Sequence, residues 1–200
     1  MRHPRLWALV AWSVVVIWLG GCGNTAKPTF LSTDITGANF GSDFKLTDHT
    51  GATRSLADFR GKATVLFFGY THCPDMCPAT MGELDAAMQK LGKDAARVQV
   101  LFVTVDPERD TPAQLKQYLS AFNPAFLGLS GDAQATKDIA NEFKVVYQKQ
   151  VGQSPDHHAM DHSTGTYIFD TKGRIRLYAN NGTGSDVFAQ DIAELLRTSG

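Results

Sequence analysis

Two of the chain's three cysteines, Cys73 and Cys77, lie in the stretch "YTHCPDMCP" at residues 70–78. Such a pair could be redox-active, bind a metal ion, or serve only packing and stability. A disulfide that closes so small a loop restricts the unfolded chain very little, so stabilisation is a weak reason for it. The pair is therefore expected to carry either thiol redox chemistry or metal chemistry.

The spacing of the two cysteines bears on this choice. Thiol–disulfide exchange is usually associated with two residues between the cysteines, whereas Cys73 and Cys77 have three between them. The extra residue allows both sulfurs to face one ion from adjacent turns. A third ligand would favour the metal site, and the candidate is His162, which directly precedes a predicted strand. A histidine at that place could lie opposite the cysteines, where the edge loops of a sheet converge.

The stretch before His162 contains further potential donors, namely His157, His158 and Met160. We expect these three side chains to lie in a solvated loop, from which they could capture a metal ion only transiently. Asp161 could orient the imidazole of His162 as a hydrogen-bond partner or merely solvate the loop.

The cysteines must be positioned by the elements on either side of them. The nearly continuous apolar run "ATVLFFGY", residues 63–70, predicts a central strand that is buried on both faces. The apolar spacing of residues 81–91 then predicts a helix that ends at Gly92. Peptide dipoles at a helix amino terminus are expected to lower the pKa of the thiols from about 8.5. His72 could tune Cys73 or pack the loop, and neither role is favoured.

The rest of the chain repeats the alternation of strands and helices. Residues 97–106 predict a second buried strand, and Thr111 is expected to cap a helix that begins at Pro112. Further helices are predicted at 132–143 and 185–199, with two strands joined by a tight turn between them. This order predicts an α/β protein with a mixed central sheet and helices on both faces, a thioredoxin-like sandwich.

The amino terminus has the pattern of an export signal. Arg2 and Arg5 precede an uncharged apolar stretch that ends in "LGGC" at Cys22, a sequence that resembles the lipobox of bacterial lipoproteins. We therefore predict a signal peptide at 1–21, lipidation of Cys22, a lipidated tether at 22–42 and the domain at 43–200. An uncleaved membrane anchor is the alternative. Either arrangement holds the domain outside the cytoplasm, and the lipoprotein prediction gives the periplasmic side of a bacterial cell envelope.

Composition excludes one class of partner. The chain has 200 residues, of which 43% are hydrophobic and 20% are charged, as expected for one globular domain. The formal net charge is −1 and the sequence contains no basic run. A nucleic-acid backbone would therefore find no positive stripe to follow.

Three motifs together resemble those of the Sco/SenC family of copper-binding assembly factors for cytochrome c oxidase. They are "YTHCPDMCP" at 70–78, "DPERDTP" at 106–112 and "DHS" at 161–163. The resemblance implies a thioredoxin-like fold and one copper ion, Cu(I) or Cu(II), bound by Cys73, Cys77 and His162. The "HHAM" residues before the third motif depart from the family pattern and leave open the number of extra ligands.

Two functions follow from this resemblance. The first is a metallochaperone that delivers copper to the binuclear copper centre of cytochrome c oxidase. Its partners would be the copper-bearing oxidase subunit, other periplasmic copper carriers and, through the lipid, a membrane. Two thiolates suit Cu(I) and an imidazole accommodates Cu(II). Delivery of the ion to the oxidase would need no catalytic turnover.

The alternative is an enzyme, a thiol–disulfide reductase for the oxidase cysteines, which would use Cys73 and Cys77 as its redox pair without requiring His162.

Overall fold

The structure is a computed structural model and describes residues 28–154 and 157–199. The strands in this part of the chain are β1 (Thr33–Asp34), β2 (Leu46–Asp48), β3 (Thr53–Arg54), β4 (Ala63–Gly69), β5 (Val98–Thr104), β6 (Leu127–Ser130), β7 (Tyr147–Ser154), β8 (His157–His162), β9 (Thr166–Phe169) and β10 (Ile175–Ala179). The α-helices are α1 (Met76–Leu91), α2 (Pro112–Ser120), α3 (Ala133–Glu142) and α4 (Ser185–Thr198).

Eight strands form one mixed sheet in the order β1-β10-β9-β4-β5-β6-β2-β3. The central strands β4, β5 and β6 run parallel, while the strands on both sides of them pair antiparallel. Every residue of β4 is buried. Because successive side chains of a strand point to opposite faces, this burial requires a packed layer on each side of the sheet. The α/β class and the mixed central sheet are as predicted.

The two elements that frame the cysteines, β4 and α1, end close to their predicted positions. α1 begins at Met76, so Cys77 and Pro78 both lie in its first turn. Pro78 is tolerated there because N–H groups in the first turn of a helix have no acceptor within the helix. α2 starts as predicted at Pro112, with the Thr111 side chain accepting a hydrogen bond from the Gln114 backbone.

Part of the stretch predicted as the tether, 22–42, packs against the domain. Within the stretch assigned to the tether, β1 pairs antiparallel with β10. The backbone N–H groups of Leu31 and Ser32 donate to the buried carboxylate of Asp191 at 2.8 Å. β1 has two residues with exposed side chains, so its backbone pairing leaves no hydrophobic pattern in the sequence. Residues from about 30 onward therefore belong to the domain.

The predicted signal peptide at 1–21 and the predicted lipidation site Cys22 lie outside the described residues. Among the helices that are described, none combines the length and apolar character needed to cross a bilayer.

Residues 147–154 and 157–162 form two paired strands, the β7–β8 hairpin, where the sequence suggested a solvated loop for His157, His158 and Met160. β7 and β8 pair antiparallel, with Tyr147 opposite His162. They form a two-stranded sheet of their own, separate from the eight-stranded sheet. The hairpin brings the predicted third ligand, His162, to the carboxyl end of β4.

Candidate metal centre

The two cysteines lie at the junction of β4 and α1. Cys77 is fully buried and Cys73 is half-buried. The backbone N–H of Cys77 donates to Sγ of Cys73 over 3.4 Å, so the first thiol rests on the amino terminus of α1. Both thiols are free. The half-buried Cys73 is thus the thiol more accessible to an incoming molecule.

Gly69, the last residue of β4, makes room for the second thiol. A Cβ atom at this position would lie 2.9 Å from Sγ of Cys77 and equally close to the rings of Phe67 and Phe102. Real Cβ atoms do not approach neighbours so closely. The glycine therefore allows the Cys77 thiol to sit directly against the end of the central strand, between two aromatic rings.

His162 reaches the same place from β8. Its Nε2 lies 3.7 Å from Sγ of Cys77, which is 85 residues earlier in the chain. Its Nδ1 lies 2.9 Å from the carbonyl oxygen of Ser163. A carbonyl can only accept, so Nδ1 carries the proton and Nε2 presents its lone pair to the cysteines. The rings of Phe67 and Tyr70 pack edge-on against the imidazole and fix its plane.

Burial governs the protonation of these groups. It lowers the pKa of His162, although the Ser163 carbonyl and nearby Asp161 act in the opposite direction. It raises the pKa of Cys77 far above the ordinary thiol value, with the neighbouring Cys73 adding to the effect. The predicted lowering of the thiol pKa is therefore wrong for Cys77, because desolvation by burial outweighs the lowering effect of the Tyr70 backbone. Without a metal, the site holds a neutral imidazole beside a protonated thiol.

Two of the remaining candidates are not solvated, contrary to the sequence-based expectation. His158 and Met160 are both buried, at 8% and 7% exposure, on the same face of β8 as His162. Nε2 of His158 lies 3.2 Å from both carboxylate oxygens of Asp106. His157 also lies in β8, but its side chain is outside the described part of the chain.

Asp161 points away from the imidazole of its neighbour. It is exposed, and its carboxylate accepts a hydrogen bond from the side chain of Gln150 across the hairpin. The carbonyl of Ser163, rather than Asp161, is what orients the ring of His162. No sequence pattern distinguishes this backbone acceptor from its neighbours.

The "DPERDTP" turn holds the cysteine loop in place. The buried carboxylate of Asp110 accepts hydrogen bonds from the backbone and the hydroxyl of Thr71, at 3.0 and 2.6 Å. The same carboxylate accepts from the hydroxyl of Thr104 at the end of β5. His72 is 47% exposed, and its Nδ1 lies 3.7 Å from Asp110. The turn therefore anchors the residues immediately before Cys73.

The donor set decides which metal ions these side chains could hold. Two sulfurs and one imidazole nitrogen are soft to intermediate donors, which suit copper in both of its common oxidation states. Structural zinc sites, by contrast, are almost always completed by four protein ligands. The fully buried Cys77 and the half-buried Cys73 would leave such an ion accessible from one side.

A mixed sheet of this topology, with free thiols where a central strand turns into a helix, defines a thioredoxin-like domain. The family model described as SCO1/SenC matches residues 32–197, and the chain belongs to this family. The family and the fold indicated by the three sequence motifs are thus confirmed.

Relatives of known sequence and structure agree with this assignment. The SCO2-like protein RC0895 of Rickettsia conorii is 38% identical over 135 residues, which cover 67% of this chain and 66% of that protein. The chain thus spans slightly less than two thirds of that relative's length, and 57% of the mitochondrial SCO2 homologue of Bos taurus.

Among solved structures, copper-bound ScoI of Bradyrhizobium japonicum superposes with a TM-score of 0.73 at 38% identity, over 78% of this chain and 99% of that chain. The apo Sco1 of Thermus thermophilus gives 0.76 at 39% identity, over 86% and 99%. BsSco, described as a member of the Sco family of cytochrome c oxidase assembly proteins, gives 0.64 at 19% identity over 84% and 98%, and shares the fold.

Proposed function

We propose that this protein is a copper metallochaperone that binds one copper ion through Cys73, Cys77 and His162. In this proposal it delivers the ion to the binuclear copper centre of cytochrome c oxidase during assembly. The observation that carries the proposal is the 3.7 Å approach of Nε2 of His162 to Sγ of Cys77 across 85 residues of sequence. Copper-bound relatives with the same fold support the choice of cargo.

The difference in exposure between the two thiols suggests how copper would leave. An incoming thiolate from the partner would meet the half-buried Cys73 before the fully buried Cys77. It would replace the Cys73 sulfur first, while Cys77 and His162 still hold the ion. Ligation requires deprotonated thiols, so loading would release protons and unloading would take them up.

A copper titration tests the ligand set. We expect the reduced protein, kept under anaerobic conditions, to bind one copper ion per chain. Cys73→Ser, Cys77→Ser and His162→Ala should each abolish tight binding, while His72→Ala, which changes an exposed residue beside the loop, should not. Retention of one tight copper ion by His162→Ala would overturn the proposed ligand set.

We further propose that the chain is a lipoprotein of the bacterial cell envelope, with Cys22 acylated and the domain on the periplasmic side. The apolar run before "LGGC" supports this. Its partners would then be the copper-bearing oxidase subunit and other periplasmic copper carriers. Metabolic labelling with a radioactive fatty acid should mark the wild-type protein and not Cys22→Ser. Equal labelling of the two would contradict the lipid anchor.

The half-buried thiol of Cys73, resting on a backbone N–H at the amino terminus of α1, favours a second candidate function. A half-buried sulfur in this position is accessible for attack on a disulfide. The protein would then be a thiol–disulfide reductase that keeps the oxidase cysteines reduced. His162→Ala separates the two functions, because a reductase would keep its Cys73–Cys77 disulfide potential and its reducing activity without that imidazole.

A further inference from the structure

The position of the β7–β8 hairpin depends on side-chain contacts. The hairpin forms its own sheet, and within residues 28–154 and 157–199 its strands pair with no strand of the eight-stranded sheet. An isolated two-stranded hairpin is marginally stable in water. Because His162 is the last residue of β8, whatever docks the hairpin also sets the place of the imidazole relative to the thiols.

One face of β8 makes this docking contact. His158, Met160 and His162 alternate along the strand and therefore share a face. Met160 is buried, and the ring of Tyr70 packs edge-on against His162. On this face, Nε2 of His158 lies 3.2 Å from both carboxylate oxygens of Asp106.

Asp106, the partner of His158 in this contact, is itself held in place by neighbouring residues. Asp106 lies two residues after the end of β5, is 2% exposed, and forms an ion pair with Arg109. The guanidinium of Arg109 also lies over the ring of Tyr70, 5.8 Å from its centroid. Four residues after Asp106, Asp110 holds the loop that leads to Cys73. The turn between β5 and α2 thus contacts both segments that carry the proposed ligands. Asp110 bonds to the cysteine loop, and Asp106 contacts the hairpin.

The same cluster could in principle hold a cation. Ligand atoms of Asp106, Glu108 and His158 all lie within 4.8 Å of one another. However, Asp106 is paired with Arg109, and Glu108 is paired with Lys149 of β7. The two carboxylates are thus matched by two cationic side chains. This charge balance favours a structural link between the turn and the hairpin over a second metal site.

We infer that His158 is a positioning residue for copper binding. Its contact with Asp106 docks the hairpin so that Nε2 of His162 faces the thiols, and His158 itself does not bind the ion. This inference rests on the proposed function. It assigns a role to one of the "HHAM" residues that the sequence motifs left unexplained.

Two substitutions of His158 test the inference. His158→Leu fills the buried space without a hydrogen-bond donor, and His158→Gln keeps a donor nitrogen at a similar distance from the backbone. Competition with a copper chelator should show affinity about 10- to 100-fold weaker in the leucine variant, and the glutamine variant should recover most of it. Gln150→Leu is a matched control, because it removes a hydrogen bond that stays within the hairpin.

Spectroscopy distinguishes positioning from direct ligation. At saturating Cu(II), we expect His158→Leu and the wild-type protein to give the same electron paramagnetic resonance spectrum, since the ligands are unchanged. A changed spectrum would overturn the inference. A second result would also overturn it: the double variant Cys73→Ser/Cys77→Ser binds Cu(II) or Zn(II), and adding His158→Leu to that variant abolishes the binding. This result would show that Asp106, Glu108 and His158 form a metal site.

Two further outcomes would also reject the positioning role. One is wild-type copper affinity in a folded His158→Leu protein. The other is equal loss of affinity in both His158 variants together with a lower melting temperature, which would indicate a general packing role. Neither outcome bears on the ligand set, because the Cys73→Ser, Cys77→Ser and His162→Ala variants test that set separately.

Discussion

The two ring nitrogens of His162 have separate tasks in this structure. Nδ1 donates to the carbonyl of Ser163, and this bond leaves Nε2 unprotonated toward Cys77. Burial reinforces the arrangement by lowering the pKa of the imidazole. The ring is thus already in the protonation state that a metal ligand needs before any copper arrives.

Lowering of the His162 pKa makes the stability of the metal-free protein depend on pH. Below pH 6.5 the unfolded chain binds protons at this histidine more readily than the folded chain does. The free energy of unfolding should therefore fall as the pH decreases from about 7.5 to 5.5. Burial also lowers the pKa of His49, so it contributes with the same sign.

Urea unfolding without copper at both pH values measures this dependence. His162→Gln should reduce the loss of stability between the two pH values, and adding His49→Gln should reduce it further. An unchanged loss in the double variant would show that neither imidazole is held neutral by the fold.

Gly69→Ala should damage the site without removing a ligand. The added methyl group would meet Sγ of Cys77 and two aromatic rings at 2.9 Å. Overpacking of this kind costs about 1–3 kcal/mol of unfolding free energy. We also expect weaker copper binding, because the Cys77 sulfur must move. Chemical denaturation and a copper titration measure the two effects.

Gly82→Ala provides the matched control for this substitution. Gly82 lies in α1 with open space around its Cα. Alanine should stabilise the helix there by about 0.5–1 kcal/mol and leave copper binding unchanged. If Gly69→Ala and Gly82→Ala changed the unfolding free energy and the copper affinity to the same extent, the packing role of Gly69 would be contradicted.

The sequence singled out residues that the structure brings close together, but it did not predict their electrostatics. The spacing of Cys73 and Cys77 and the position of His162 before a strand were sufficient to select these residues. The raised pKa of Cys77 was missed because it comes from burial, which depends on how the whole domain packs. The need for Gly69 was missed for the same reason, although a glycine that ends an apolar strand was a usable signal.

At the scale of elements, the turn between β5 and α2 carries the most connections to the site. Asp110→Asn should destabilise the domain, because an amide cannot accept all three hydrogen bonds that come from Thr71 and Thr104. Loss of such bonds to a buried charged group costs about 1–3 kcal/mol. Glu108→Gln alters only an exposed ion pair, worth about 1 kcal/mol or less. If Asp110→Asn and Glu108→Gln lowered the urea midpoint of unfolding equally, the role of Asp110 in holding the cysteine loop would be contradicted.

The predictability of each element followed from the physical signal that encodes it. Long apolar runs gave β4 and β5, and the capping residues of α2 placed its first turn correctly. The β7–β8 hairpin was missed because its strands are rich in polar side chains. The edge strand β1 was missed because it is held by backbone bonds.

For the molecule as a whole, the proposed copper site predicts that the metal stabilises the fold. Free Cu(I) at about one hundred times its dissociation constant would add about 2.7 kcal/mol to the free energy of unfolding. In a domain of this size, this corresponds to a rise of about 5–10 °C in melting temperature. Calorimetry with buffered Cu(I) should show this rise in melting temperature for the wild-type protein. The double variant Cys73→Ser/Cys77→Ser should show no rise. An equal rise in that variant would mean that copper stabilises the domain elsewhere.

The 85 residues between Cys77 and His162 also bear on when copper can be acquired. If the chain is exported amino terminus first, both sulfurs emerge well before the imidazole does. During that interval the thiols have no nitrogen partner and are exposed to oxidants. Tight metal capture would have to wait until translocation is complete and the hairpin has docked. A bound copper ion would then mark an intact, fully folded molecule, and a single proteolytic cut followed by separation of the fragments would release it.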